Sequence, residues 1–298
     1  MRYRNRWILC SIISGIFLLA LKGAPIQDKL LSVRDLLALE PVTADHIVPY
    51  GDSPLQFGEL RLPQGDGPFP VVVIIHGGCW MAAYDLNHIS PLAGAITELG
   101  FATWSLEYRR IGNEGGGWPG TFLDVAAGVD FLQELARKFP LRLNRVILLG
   151  HSAGGHLALW SAGRGNLPRT SLVFKETPIQ ALSVISLAGI GDLKEATTSK
   201  ICGSSVAQLM GGDEVQFPAR YSEGSPMELL PLGVRQILIQ GREDPIVPLD
   251  SVKAYYTEAR ALKDSIQLIE VSKAGHYELV IPDSNAWPAV KKALLSFK

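Results

Sequence analysis

The stretch Arg145 to Trp160, RVILLGHSAGGHLALW, leaves this chain few ways to fold. Val146, Ile147, Leu148 and Leu149 form a short unbroken apolar run rich in branched side chains, which reads as a buried strand. Gly150-His151-Ser152-Ala153-Gly154 follows without a gap and fits the pattern G-x-S-x-G. Beyond it, Ala153, Leu157, Ala158 and Ala162 suit a helix that Gly163 and Gly165 end early. A serine on so sharp a turn has a strained backbone, and neighbouring chain comes close. Glycines two before and two after it remove the side chains that would collide. The turn lifts the hydroxyl out at the top of a sheet, at a helix N-terminus whose dipole favours developing negative charge. Ser152 is therefore a candidate nucleophile.

The rest of the chain alternates strand and helix around this stretch. Residues 27–50 read as a leader with one short helix at 30–39, and 57–62 as an early edge strand. Val71 to Ile75 is five branched residues in a row, a strand buried on both faces. A helix is expected over 86–99, ended by Gly100, then a strand over 101–106. Residues 111–120 form a glycine-rich loop holding Trp118 and Pro119, and 122–139 an amphipathic helix. Strands are expected at 181–187, 236–240 and 266–271, and helices at 252–262 and 287–297. Residues 191–231 carry no clear long element and read as a cap-like insertion of short helices. Such alternation implies an α/β fold with a mostly parallel central sheet covered by helices on both faces. No internal repeat or linker appears, so residues 25–298 are expected to form one domain.

The N-terminus differs from this body. Arg2, Arg4 and Arg6 precede fifteen residues, Trp7 to Leu21, without a charge. That is the pattern of a secretory signal, and the run is short for a membrane-spanning helix. Residues 1–24 are expected to be a signal peptide and the protein secreted or periplasmic; the alternative is an uncleaved segment that tethers it to a membrane. Cys10 lies in that apolar run, which leaves Cys79 and Cys202. Export would permit a bond between them, but sequence leaves open whether they pair or stay free. The net charge of −1 and the lack of basic blocks argue against nucleic acid as a partner.

In an open α/β sheet, ligands bind beyond the carboxyl ends of the strands. The polar chemistry found there is His76-Gly77-Gly78, then Ser152, then Arg242-Glu243-Asp244, then Gly275-His276. That order supplies backbone donors, a nucleophile, an acid and a base. Six histidines compete for the base. His276 is preferred because it sits in a loop after the last strand. His46 and His88 carry no flanking turn signal, and His156 reads as a core or pocket-wall residue. Asp244 is the favoured orienting acid, with Glu243 and Asp250 as alternatives. Backbone N–H groups of Gly77, Gly78 and Ala153 could meet the charge that develops on an acyl oxygen. Cys79, Trp80, Trp118 and His151 are candidate walls of the substrate pocket. The spacing of His76, Cys79, His151 and His156 matches no usual metal site, and no phosphate-binding glycine motif appears, so no metal or other cofactor is expected.

HGGCW at His76 to Trp80, GHSAGGHLA at Gly150 to Ala158, QGREDPIVP at Gln240 to Pro248 and AGHYELVIPDSNAW at Ala274 to Trp287 together resemble the α/β-hydrolase superfamily. Within it they resemble the branch of HGGxW-type carboxylesterases and acylhydrolases, which includes kynurenine-formamidase-like and feruloyl-esterase-like proteins. The resemblance implies a Ser152, Asp244, His276 triad with an oxyanion hole at Gly77, Gly78 and Ala153. It further implies a small-molecule ester substrate, the alternatives being an arylformamidase or an S9-like peptidase built on the same triad. Cys79 departs from the bulkier residues frequent at its position.

Overall fold

In a computed structural model describing residues 29–298, alternate residues of the central strands feed two different cores. From strand β3 (Phe69–Ile75), Val71, Val73 and Ile75 enter one apolar cluster, and Val72 and Ile74 the other. In β5 (Leu141–His151), Val146 and Leu148 face one way, and Ile147 and Leu149 the other. Successive side chains of a strand point to opposite faces, so an unbroken apolar run is what a sheet covered on both sides requires.

These two strands lie side by side at the middle of an eight-stranded sheet. The others are β1 (His46–Pro49), β2 (Phe57–Arg61), β4 (Ala102–Leu106), β6 (Ser183–Leu187), β7 (Arg235–Gly241) and β8 (Ile266–Val271). The strand order is β1-β2-β4-β3-β5-β6-β7-β8. From β4 to β8 every pairing is parallel; β1 and β2 add antiparallel pairings at one side. The chain therefore runs outward from the centre in both directions, and all the parallel strands end on one side.

Ten helices accompany the sheet among the described residues: α1 (Val33–Leu37), α2 (Ser90–Glu98), α3 (Gly120–Asp130), α4 (Leu132–Leu135), α5 (Ala153–Gly163), α6 (Leu193–Thr198), α7 (Ser205–Met210), α8 (Pro218–Gly224), α9 (Leu249–Ala261) and α10 (Trp287–Leu295). The stretch expected as a cap, 191–231, holds α6, α7 and α8, followed by a 3-10 turn at Pro226–Leu229.

Four expectations differ in detail. The strand at Phe57–Arg61 is not the edge. Four residues of β1 lie outside it, too short and too exposed to leave an alternating signal. The helix expected over 122–139 is divided at Phe131 into α3 and α4. The helix expected over 86–99 begins as a 3-10 turn, Leu86–Ile89, before α2. The leader helix shrinks to Val33–Leu37. Residues 1–24, with the proposed signal, lie outside the described residues. Among those that are described, no helix is long and apolar enough to cross a membrane.

Cys79 and Cys202 form a disulfide across 123 residues of sequence. It links the loop after β3 to the turn between α6 and α7 and so fastens the cap segment to the sheet's upper edge. Closing so long a loop removes much freedom from the unfolded chain. Replacing both cysteines by serine is expected to lower the unfolding free energy by about 2–5 kcal/mol, read as a fall in the urea midpoint. An unchanged midpoint would show that the link does not stabilise the fold.

Candidate active site

Ser152 has φ 56° and ψ −123°, a strained backbone for a residue with a side chain. The surrounding chain imposes it. Its N–H donates to Leu187 O of β6 at 2.9 Å, and its carbonyl accepts from His156 N at 3.0 Å as α5 begins. A Cβ at Gly150 would meet Gly154 O at 2.0 Å, and one at Gly154 would meet Ile75 O of β3 at 2.1 Å. Strand β5 and helix α5 can thus meet at this angle only if both positions lack side chains.

After β7, the loop carries Asp244, which is 8% exposed, and after β8 comes His276, 3% exposed. Asp244 is fully provided with donors. Its Oδ1 accepts from Ile246 N at 2.8 Å and Val247 N at 2.9 Å. Its Oδ2 accepts from Gln240 Nε2 at 3.1 Å and from His276 Nδ1 at 2.7 Å. Because the carboxylate only accepts, Nδ1 of His276 carries a proton, and in the neutral ring that places the lone pair on Nε2. Glu243 and Asp250, the alternative acids, make no hydrogen bond to His276.

The loop after β3 is held from below by Glu107, which directly follows β4. Its carboxylate takes His76 Nε2 at 3.2 Å, Tyr108 N at 2.9 Å, Leu86 N at 3.2 Å and Arg110 Nη2 at 3.1 Å. Burial works against its charge. The hydrogen bond from His76, the charges of His76 and Arg110 and the Tyr108 N–H outweigh it and hold the carboxyl below its ordinary range. Tyr108 Oη donates to His76 O at 2.8 Å, and Arg110 donates to Tyr84 O. Above this base Cys79 and Trp80 take φ of 51° and 56°, a left-handed turn closed by Met81 N donating to Gly78 O at 2.9 Å. The disulfide at Cys79 and full burial of Trp80 hold this turn in place. Among the described residues, the N–H groups of Gly77, Gly78 and Ala153 donate to no protein group.

A cavity of about 50 Å³ is lined by Gly78, Cys79, Tyr84, His88, Ser152, Ile246, His276 and Tyr277. It brings together Gly78, Cys79, Ser152 and His276 of the residues singled out in sequence. Three suggested wall residues lie elsewhere. Trp80 is wholly buried, its Nε1 donating to His156 Nδ1 at 3.2 Å, because a large ring after the left-handed turn swings into the core. Trp118 packs edge-on against Phe122 at 4.9 Å, and its backbone N–H donates to Leu209 O of α7. His151 points beneath the cavity, where Nε2 meets His276 O at 3.0 Å and Nδ1 meets His88 Nε2 at 2.8 Å.

Sequence reading passed over Glu107, Gln240 and His88. Glu107 follows the end of β4, where the strand-end rule applied to the other strands would have found it. Gln240 is a polar residue inside an apolar strand, a signal that goes with a buried partner. His88 sits in a 3-10 turn and leaves no periodic trace.

The chain is similar to known proteins in sequence and in fold. Esterase LipC of Mycobacterium tuberculosis is 24% identical over 239 residues, covering 76% of this chain and 58% of that protein. Isoprenylcysteine alpha-carbonyl methylesterase ICME of Arabidopsis thaliana is 27% identical over 250 residues, covering 78% and 56%. The chain spans about half the length of the curated relatives it matches. Among solved structures, a truncated form of a carbohydrate esterase from gut microbiota superposes with a TM-score of 0.73 at 21% identity, over 86% of this chain and 96% of that one. Eight strands in this order, helices on both faces and that superposition give the α/β-hydrolase fold. The BD-FAE family model matches residues 59–258, from β2 into α9, and the chain belongs to that family.

Proposed function

We propose that the protein is a serine hydrolase that cleaves short carboxylic esters through an acyl-enzyme on Ser152. One observation carries this reading. Ser152 and His276 line one small cavity, and His276 Nδ1 lies 2.7 Å from an Asp244 whose other oxygen is already held by two backbone N–H groups. His276 Nε2 takes the Ser152 proton as Oγ attacks the ester carbonyl carbon. Asp244 keeps the ring in this tautomer and stabilises its positive form. The carbonyl oxygen gains charge, which the unengaged N–H groups of Gly77, Gly78 and Ala153 are suited to meet, with the α5 dipole behind Ala153. His276 gives the proton to the leaving alkoxide, and the alcohol departs. Water then attacks the acyl-enzyme with His276 again as base, releasing the acid and restoring Ser152.

A cavity of about 50 Å³ favours a small acyl group. Wild-type protein is expected to hydrolyse p-nitrophenyl acetate faster than the octanoate, and Ser152→Ala to lower kcat/KM by on the order of 10³-fold or more. An unaltered rate in Ser152→Ala would overturn the reading.

We infer export as well. The support is the basic and apolar N-terminal run together with the Cys79–Cys202 bond, since disulfides persist in oxidising compartments. Expressed in full in a bacterial host, the chain is expected in the periplasm or medium. N-terminal sequencing of the mature product distinguishes a cleaved signal from a retained anchor, and recovery only in the cytosol would refute export.

The buried histidines set an acid limit. Burial, then the charges of His76 and His276, lowers His88 to about 3. Burial lowers His156 to about 4 against the contrary pull of Gly224 O, and burial followed by the charges of His276 and His88 takes His151 well below its ordinary value. In the unfolded chain each ring binds a proton near pH 6.5, so the unfolded state takes up more protons below that pH. The contribution of these rings is complete above about pH 6.5 and declines as pH falls toward 4, by up to about 1.4 kcal/mol per ring per unit. The urea midpoint is expected to fall markedly between pH 7 and pH 5; a flat profile would contradict neutral burial of these rings.

A further inference from the structure

The backbone of Ala274, Gly275 and His276 is pinned at three points. Glu243 N, from the loop that carries Asp244, donates to Ala274 O at 3.0 Å. His151 Nε2, from the residue before Ser152, meets His276 O at 3.0 Å. Gly275 N donates to Glu278 Oε2 at 2.9 Å. The first two points join parts of the site to one another. The third leads out of it, because Glu278 Oε1 accepts from Leu31 N at 2.6 Å. One carboxylate thus joins the loop of His276 to a residue 247 positions earlier than itself.

Glu278 is 1% exposed, and its carboxylate is held by these two backbone N–H groups. A buried carboxylate needs such charge-assisted donors on both oxygens. Ser284 Oγ donates to Glu278 O at 2.6 Å, which fixes the backbone that carries the carboxylate. The contact continues through apolar atoms. A Cβ at Gly275 would stand 3.3 Å from Leu30 Cδ1 and 3.3 Å from Glu278 Oε2, so both residues lie against the one before His276. The segment that supplies Leu30 and Leu31 leads into α1, a helix of five residues with little stability of its own. It stays in place through Leu36, buried in the same apolar core as Val72 and Ile74, and through the bond to Glu278. Without the Leu31 N–H, Oε1 would be buried with no donor. The carboxylate would turn toward water, and Gly275 N would lose its partner.

We propose that Glu278 is a positioning residue through which the N-terminal segment at Leu30 and Leu31 sets the place of His276, so that full activity requires this segment to be docked. The proposal rests on the reading of His276 as the base that activates Ser152. Glu278 acts through Gly275 and not on the substrate, since it is not among the residues that line the cavity.

Three variants of the full chain test it, with p-nitrophenyl acetate as substrate. In Glu278→Gln the amide oxygen can accept from one N–H only, and the amide N–H groups oppose the other. Its kcat is expected to fall by about tenfold or more with KM little changed. Leu31→Pro removes the donor and leaves the carboxylate intact, whereas Leu31→Ala shortens the side chain and keeps the donor. The kcat of Leu31→Pro is expected to lie about tenfold below that of Leu31→Ala. The double variant Leu31→Pro/Glu278→Gln breaks one bridge twice, so its kcat is expected to stay within about threefold of Glu278→Gln. Equal kcat in Leu31→Pro and Leu31→Ala overturns the proposal, as do losses that multiply in the double variant. A lowered urea midpoint with wild-type kcat in Glu278→Gln overturns it too, since the carboxylate would then serve the fold alone. Should Glu278→Gln fail to fold, the Leu31 pair decides. A readout independent of turnover is the proton resonance of His276 Nδ1–H, which its bond to Asp244 places far downfield. It is expected to move in Leu31→Pro relative to Leu31→Ala; an unmoved resonance overturns the proposal. Loss of hydrolysis in Ser152→Ala reports separately on the nucleophile, so the two readings fail in different experiments.

Discussion

The close contact between helix α5 and strands β3 and β5 is the constraint on which the site depends. Gly154 packs against the carbonyl of Ile75 so tightly that no side chain fits, and Ser152 is left with a backbone conformation that an isolated chain would avoid. Local structure contributes one hydrogen bond, from His156 N to the Ser152 carbonyl. The conformation persists because β3, β5 and β6 are already joined by ladders of hydrogen bonds and because two apolar cores clamp the sheet from opposite faces. The strain at one residue is held by the packing of many. This is why Ser152 sits at the centre of the sheet and not on a peripheral strand.

Around that point the same economy recurs. Each polar group at the upper edge is fixed by groups that take no part in the proposed chemistry. Glu107 ties together four donors from the chain around the loop after β3. Gln240, buried in β7, reaches both Asp244 and Val247 O. His151 braces the backbone of His276 from beneath. Preorganisation of this kind leaves little to rearrange when charge develops.

Much of this was legible in the sequence, and the reason is topological. In a parallel sheet all the strands end on one side, so polar residues that follow apolar runs fall in one region even when more than a hundred residues separate them. His76, Ser152, Asp244 and His276 could be gathered in this way. What could not be read were the contacts that depend on side-chain direction across the fold. Trp80 belongs to the core, not the cavity, because of a left-handed turn that its neighbours impose. His88 enters the cavity from a 3-10 turn with no pattern of its own. The short edge strand β1 and the break at Phe131 are likewise decided by packing and not by local preference.

The bond between Cys79 and Cys202 has a bearing on how the molecule is made. Its two ends are separated by the whole central part of the sheet, β4, α3, β5, α5 and β6. During synthesis Cys79 emerges long before its partner, and in the folded protein it is the order of the intervening strands that holds the two sulfurs within bonding distance. No third cysteine among the described residues competes for either sulfur. Once closed, the link makes the cap segment and the loop after β3 a single unit that spans the middle of the chain.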